Sequence, residues 1–434
     1  MTIWYTKIVS SQRNTPYRKY GAIGKSRQDA YQYFDEINAR AMPLFEYDWD
    51  DEPTDSLNAR FDGIMSAVKK GDTIVQLYPH LHNSPVYNEK FFNKANFFGA
   101  KVVGYVHDIE FFRHNIDNFG EDSGNDSMWR MPHEYDLAKN YINKYDGLIV
   151  PTANIKELIQ HDLEFNGPIA VAGPYGYVTP MIPDRRELTN EIVFAGSFDK
   201  NPSLNEIVKK TTSLQFNVYG KADYENNQVQ NRENVKLMGS FDPDALLMSL
   251  KGSFGLVWDS IEYPIVKGGV GTYQRVNGPF KFSMYVAAEL PPIVWSKMGF
   301  ADYVVKNDIG WVLDDLTQLE ELVNNISEEE YAQKLDNLQQ VGNIIRSGEG
   351  LKRATFEVIT QLHENPTFQE TSMSLEEINL GLDRWIIELD KQHSSDIANY
   401  DFPELITSYY ERNLYDNSNY QQAREILIKY NKLS

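Results

Sequence analysis

Short apolar runs alternate with longer amphipathic stretches from the start of the chain to about residue 362. Strands that alternate with helices in this way form doubly wound parallel sheets, so the pattern predicts an α/β protein. The predicted strands cover residues 3–9, 42–45, 73–78, 101–106, 147–150 and 168–172, then one from residue 191, and residues 216–219, 235–238, 255–258, 292–295 and 310–313. The predicted helices include a stretch through residue 40 and residues 55–70, 84–98, 133–144, 301–306 and 350–362.

A change of pattern divides the chain into three parts. Residues 173–176, Gly-Pro-Tyr-Gly, form the best hinge between two strand-and-helix regions. Beyond residue 365 the strand signal ends, and residues 374–389, 397–413 and 420–430 are predicted to form three helices. We therefore predict Rossmann-like domains at 1–173 and 174–364, followed by a helical extension at 365–434. The extension is expected to bury its apolar face against the body or against another subunit, giving a homo-oligomer.

The stretch from residue 277 to residue 295 carries the most specific chemistry. Its sequence, NGPFKFSMYVAAELPPIVW, predicts a helix that begins at Pro279, where a proline fits the first helical position, and ends before Pro291. Lys281 then lies in the first turn. Free backbone N–H groups and the positive end of the helix dipole already favour an anion there, so the lysine is misplaced unless an anion binds. A phosphate-bearing ligand at the carboxyl edge of a parallel sheet would meet this need.

The pattern N-G-P-x-K-x-S-x-Y-x-A-A-x-L-P-x-I-V resembles the donor-site helix of a family of bacterial nucleotide-sugar glycosyltransferases. That family includes the second glucosyltransferase of serine-rich-repeat adhesin glycosylation and β-1,6-galactofuranosyltransferases. The resemblance covers roughly residues 1 to 364 and continues more weakly at residues 194–197, 219–220 and 255–259. It implies the GT-B architecture, with the nucleotide-sugar on the second domain and the acceptor on the first. It also implies that the last helix of the second domain crosses back to the first.

The amino-acid composition limits the kinds of partner and chemistry that are expected of this protein. The 62 acidic and 42 basic residues leave a net charge of −20, which argues against a nucleic-acid or anionic-membrane surface. The absence of cysteine excludes thiol nucleophiles, disulfides and Cys-ligated zinc. No run of apolar residues approaches a membrane span and the N-terminus lacks a signal segment, so a cytoplasmic protein without an integral membrane segment is expected.

Polar residues follow the strand at 101–106 and should point into the crevice at the sheet edge. His107, Asp108 and Glu110 are therefore the candidates for acid–base chemistry, although a capped loop with a hydrogen-bonded histidine explains them equally well. His80 and His82 end the preceding strand, but no matched carboxylate supports a metal site there. Residues 113–131 are polar and predicted to form a long functional loop, and residues 259–275 a flexible one.

The donor site is expected to draw on several segments. Ser197 and Lys200 follow the first strand of the second domain, and Tyr219 could place its ring against a uracil. The first loop offers Arg13 or Thr15 where relatives are expected to have glycines. The predicted donor-binding set is Thr15, Ser197, Lys200, Tyr219, Asn277, Gly278, Lys281 and Tyr285.

The family resemblance implies transfer of a hexose, glucose or galactofuranose, from a UDP-sugar to a carbohydrate acceptor on a glycoprotein or polysaccharide precursor. Neither a metal nor another cofactor is expected, because a lysine and a helix dipole can neutralise the leaving diphosphate. Two alternatives remain open. One is a non-catalytic subunit of the same fold that positions a partner transferase, and the other is a nucleotide-sugar epimerase, which would act without an acceptor.

Overall fold

The computed structural model describes residues 1–11, 22–46, 52–79, 85–115, 132–179, 181–182, 184–196, 201–220 and 232–363. In the C-terminal extension it describes residues 383, 386–387, 389–391, 407, 410–411 and 418–433. Residues Thr2–Leu362 form one compact unit, and residues 363–434 belong to a second.

The first sheet has six parallel strands in the order β2-β1-β3-β4-β5-β6. Residues of β3 to β5 are buried almost throughout, as expected of strands covered by helices on both faces. The strands are β1 Ile3–Ser11, β2 Arg40–Glu46, β3 Thr73–Tyr78, β4 Lys101–Val106, β5 Gly147–Val150 and β6 Ile169–Val171. The helices between them are α1 Ala22–Glu36, α2 Thr54–Ile64, α3 Pro85–Phe97, α4 Glu110–Asn115, α5 Pro132–Ile142 and α6 Ala153–Asp162.

The second sheet is also parallel and six-stranded, in the order β12-β11-β10-β7-β8-β9. Its strands are β7 Glu191–Ala195, β8 Gln215–Tyr219, β9 Val235–Gly239, β10 Phe254–Val257, β11 Pro292–Trp295 and β12 Trp311–Leu313. The helices are α7 Pro202–Lys210, α8 Pro243–Ser249, α9 Gly269–Thr272, α10 Phe280–Ala287, α11 Ala301–Asn307, α12 Leu319–Asn325, α13 Glu328–Ser347 and α14 Glu349–His363. Short 3-10 helices occupy Tyr273–Arg275 and Leu316–Gln318.

Helix α14 belongs in sequence to the second region but packs on the first sheet. Its Ala354 and Val358 are buried in one cluster with Tyr5, Val103 and Ile149 of the first sheet. The expected return of the last helix to the first domain is confirmed. The two domains are therefore joined by two chain crossings, one after β6 and one between α13 and α14.

Several predicted boundaries are wrong by a few residues. The helix predicted to run through Arg40 ends at Glu36, because Asn38 takes the left-handed conformation and β2 already begins at Arg40. The helix predicted at 55–70 ends at Ile64. The loop predicted at 259–275 contains α9 and a 3-10 helix, and the predicted loop at 113–131 lies mostly outside the described residues.

The C-terminal extension has a small core of its own. Tyr410 and Tyr420 stack with ring centroids 5.1 Å apart, and the Tyr410 hydroxyl donates to Asp383 at 2.7 Å. Its one fully described helix is α15, Ser418–Lys429, which buries Tyr420, Ala423, Ile426 and Leu427. The other two predicted helices fall largely outside the described residues, and the predicted homo-oligomer stays a prediction.

None of the described helices combines the length and the low charge that crossing a membrane requires.

Candidate functional site

The second sheet changes its direction of growth between β7 and β10, because β8 and β9 lie on one side of this pair and β11 and β12 on the other. In open parallel sheets, ligands bind outside the carboxyl ends of the strands at such a switch point. Gly196 follows β7 there, and Asp259 lies two residues beyond β10. The sequence-predicted Lys281 reaches the same place from helix α10.

Lys281 lies in the first turn of α10, as predicted. Its Nζ is 2.8 Å from a carboxylate oxygen of Asp259 and 4.6 Å from the ring centroid of Phe194. A methyl group built on Gly196 would stand 3.6 Å from the same Nζ. The lysine side chain is 14% exposed, so the switch point holds a cation that is largely shielded and still reachable. The sequence predicts an anion beside Lys281, and in the structure the Asp259 carboxylate occupies that position.

The start of α10 adds backbone donors beside this cation. Pro279 is the N-cap and no side chain caps the helix. The first N–H groups of a helix have no acceptor one turn earlier in the helix. In α10 the Phe282 amide donates to the Pro279 carbonyl at 2.9 Å, so the amides of Phe280 and Lys281 are the ones offered to an anion. The predicted helix start is one residue early, because Pro279 has extended backbone angles and the helix begins at Phe280.

Glycines permit close backbone packing around the site. Gly220 has φ of +143°, and a Cβ on it would lie 2.1 Å from the carbonyl oxygen of Gly196. A Cβ on Gly278 would lie 1.7 Å from the Phe300 ring, which is too close for any side chain. The amide of Gly196 already donates to Tyr219 O in the sheet, so it is not a free donor for a phosphate.

Asn277 connects this motif to the first domain. Its Nδ2 donates to the carbonyl of His107 at 3.1 Å, and its Oδ1 accepts the Gly278 amide at 2.9 Å. The Tyr175 hydroxyl lies 2.8 Å from the His107 carbonyl and 3.1 Å from Asn277 Oδ1. The structure thus places Asn277 in the contact between the end of β4 and the Lys281 motif.

His107 follows β4, but its surroundings disfavour the predicted acid–base role. Its ring packs edge-on against Tyr105 at 4.4 Å and against Tyr175 at 5.5 Å. Burial, helped by the charge of Arg27, lowers the pKa of His107 to about 3. Among the described residues, its shielded Nε2 has no hydrogen-bond partner. An imidazole in this environment stays neutral near pH 7 and accepts a proton poorly.

We predict that His107 makes the fold sensitive to acid. Because the unfolded chain protonates histidine at about pH 6.5 and the folded chain only near pH 3, protons favour unfolding across that interval. Between pH 7 and pH 4.5, His107→Gln should lose about 2 kcal/mol less unfolding free energy than the wild type. Urea unfolding at the two pH values measures this. His161→Gln, at an exposed histidine, is the control and should lose as much as the wild type; equal losses in all three proteins would contradict the prediction.

Asp108 lies one residue further along and is held as an ion pair. Its Oδ2 is 3.0 Å from Arg113 Nη1. The amide of the next residue, Ile109, donates to the Tyr273 hydroxyl at 3.0 Å. This hydrogen bond links the segment after β4 to the 3-10 helix that precedes Asn277. Glu110 begins α4, but its side chain lies outside the described residues.

The other predicted donor residues are placed differently. The rings of Tyr219 and Tyr285 are buried in the core of the second domain. The Tyr219 hydroxyl donates to Ser249 O, and the Tyr285 hydroxyl accepts the Ala195 amide at 2.7 Å. Both therefore act as scaffold at the ends of β8 and β7, and the ring contact with uracil predicted for Tyr219 has no room in this packing. Thr15, Ser197 and Lys200 lie outside the described residues, as do Arg13, His80 and His82.

Three residues near the site were not among the predicted site residues. Asp259 was identifiable in principle, since it follows a strand at the switch point. Arg27 donates from α1 to the carbonyl of Pro79 and lies near His107, and Tyr175 bridges the domains. No local signal marks either of these two. Within the described ranges, no cluster of three or more His, Asp or Glu side chains has the arrangement of a metal site.

The two parallel six-stranded sheets, each with its helices, have the GT-B architecture. A sucrose-phosphate synthase from Thermosynechococcus elongatus shares this fold, with a TM-score of 0.50 at 10% identity over 83% of this chain and all of that one. The model of the glucosyltransferase 3-like N-terminal domain matches residues 12–172, and that of the C-terminal domain matches residues 192–358. The chain belongs to this glucosyltransferase 3-like family, which confirms the resemblance.

Two relatives show the range of the family. The chain is 23% identical to glucosyltransferase 3 of Streptococcus gordonii over 79% of its length and 97% of the relative's. It is 26% identical to the β-1,6-galactofuranosyltransferase WbbI of Escherichia coli (strain K12), over 60% of this chain and 76% of that protein. The C-terminal extension lies beyond both family models.

Proposed function

We propose that this glycosyltransferase moves a hexose, glucose or galactofuranose, from a UDP-sugar to a carbohydrate acceptor on a glycoprotein or polysaccharide precursor. The observation that carries the proposal is the Lys281 ammonium at the switch point of the second sheet, beside an uncapped helix start. The relatives' names, a glucosyltransferase and a galactofuranosyltransferase, support a hexose and leave its identity open.

In this proposal Lys281 neutralises the diphosphate as it leaves. The bond between the anomeric carbon and the diphosphate oxygen breaks, and the negative charge that develops on that oxygen lies near the ammonium and the first N–H groups of α10. The phosphate then replaces Asp259 as the main ionic partner of Lys281. No metal is required for this charge compensation.

The acceptor is proposed to bind on the first domain beside the segment that follows β4. Its hydroxyl attacks the anomeric carbon and must lose a proton to a base. The His107 ring is packed against Tyr105 and Tyr175, so the carboxylates Asp108 and Glu110 are the remaining candidates of the predicted set. Asp108 would accept the proton while its ion pair with Arg113 holds it in place.

A nucleotide panel tests the proposal. UDP should raise the melting temperature of the protein by several degrees at about 100 times its dissociation constant, whereas ADP, GDP and TDP should not. The shift, and the release of UDP from UDP-glucose or UDP-galactofuranose with an acceptor glycan, should persist in excess EDTA.

Three outcomes would count against it. Preference for another nucleoside diphosphate would show that the donor is not a UDP-sugar. A requirement for manganese after EDTA treatment would refute metal independence. UDP binding without transfer to any acceptor would favour the non-catalytic subunit, whereas conversion of the donor sugar without an acceptor would favour the epimerase.

A further inference from the structure

A buried lysine joins the two domains at a point away from Lys281. Lys25 lies on α1 of the first domain, and its side chain is 6% exposed. Its Nζ is 2.7 Å from Asp29 Oδ1, 2.7 Å from the carbonyl of Val178 and 2.8 Å from Asp244 Oδ1. The contacts with Asp29 and Val178 are hydrogen bonds, and the contact with Asp244 is an ion pair.

The three partners of Lys25 come from three different segments. Asp29 is one turn along α1, Val178 lies on the segment that leaves the first domain, and Asp244 lies in α8 of the second domain. The Val178 amide also donates to Asp29 Oδ2 at 3.2 Å. Because an unpaired charge is costly to bury, this cation favours the arrangement in which all three segments meet.

The same ammonium is linked by stacked rings to the start of α10. It lies 4.8 Å from the ring centroid of Tyr177. The Tyr177 ring stacks on Phe280 with centroids 5.2 Å apart, and its hydroxyl donates to the Pro243 carbonyl at 2.8 Å. Phe280 immediately precedes Lys281. Lys25 therefore holds α8 directly and the beginning of the Lys281 helix through one aromatic pair.

We infer that Lys25 is a positioning residue for the transfer reaction, because its ion pair with Asp244 keeps the first domain closed on the second while its stack with Tyr177 and Phe280 orients the start of α10. The inference rests on the proposed function. Domains joined by two chain crossings can move relative to each other, and such closure often limits turnover. Loss of the Asp244 contact should lower the closed population and slow transfer, and leave the Lys281 site able to bind UDP.

Asp244 is the better residue to change. Its side chain is 57% exposed, so Asp244→Asn should fold, whereas a Lys25 substitution would leave Asp29 buried without its cation. The matched control is Asp336→Asn, at an aspartate that is 60% exposed and pairs with Arg185 at 2.7 Å. Asp244→Glu keeps the charge and tests for rescue.

For Asp244→Asn, kcat for UDP release from the donor sugar that the wild type consumes should fall about fivefold, and Kd for UDP should stay within about twofold. Asp336→Asn should match the wild type, and Asp244→Glu should recover most of the rate. Since the natural chain has no cysteine, Glu89→Cys and Glu329→Cys can carry spin labels, one on each domain. The distance between the labels should shift to longer values in Asp244→Asn.

Unchanged kcat and unchanged label distances in Asp244→Asn would overturn the inference, and so would an equal fall in Asp336→Asn. A fall in kcat that Asp244→Glu does not relieve would also contradict it. If the wild type fails to bind UDP, the proposed function fails instead, and the label distances still decide whether Lys25 and Asp244 hold the domains together.

Discussion

Lys281→Ala is expected to weaken the binding of UDP by about 1.5 to 3 kcal/mol, which is the range for a charge-assisted hydrogen bond. The Lys281 ammonium lies at the switch point of the second sheet, beside the uncapped start of α10. Titration calorimetry of the two proteins with UDP, at equal ionic strength, measures the difference.

A change at Asp259 provides a second test of the same assignment, because its carboxylate pairs with the Lys281 ammonium at 2.8 Å. Asp259→Asn removes a negative charge from the site and should strengthen UDP binding. When Asp259→Asn is added to Lys281→Ala, the gain in UDP affinity should be smaller than in the wild-type background. The reason is that Asp259 then has no Lys281 ammonium for which it competes with the phosphate. Lys267→Ala is a matched control, because Lys267 is an exposed lysine paired with Glu262 in the neighbouring loop. Unchanged UDP affinity in Lys281→Ala would end the assignment of Lys281 to the diphosphate.

Gly278→Ala should destabilise the fold by about 3 kcal/mol, at the upper end of the range for overpacking. The new methyl group would lie 1.7 Å from an atom of the Phe300 ring, and Phe300 is itself buried against Phe282 of α10. Relief requires a shift of the ring or of the backbone that carries the Lys281 motif. We therefore expect a lower unfolding free energy together with weaker UDP binding, measured by urea unfolding and by calorimetry.

Gly63→Ala is the matched control for this variant. Gly63 lies inside α2, and a Cβ there would meet no atom within 4 Å. Because alanine favours helix over glycine, this substitution should stabilise the protein by about 0.5 to 1 kcal/mol. An equal effect of the two substitutions would show that Gly278 is not constrained by Phe300.

Much of the fold was predictable because its signals are local. Apolar runs separated by amphipathic stretches indicated twelve strands, and the sheets contain twelve. The helix start at Pro279 and the function of Lys281 were predicted from short-range rules, since proline capping and the helix dipole depend on neighbouring residues alone. The boundaries of helices and strands were predicted less accurately. At Asn38, for example, one left-handed residue ends α1, and β2 begins earlier than predicted.

The sequence by itself determined the parallel α/β class, the family and, to within one residue, the start of the Lys281 helix, because each depends on local patterns along the chain. Only the tertiary structure decided which side chains meet. It paired Lys281 with Asp259, buried the rings of Tyr219 and Tyr285 and surrounded His107 with Tyr105, Tyr175 and Arg27. It also brought Lys25 to Asp244. These contacts join residues up to 219 positions apart in the chain (244 − 25), so their distances and burial depend on how the two sheets pack and not on any local pattern.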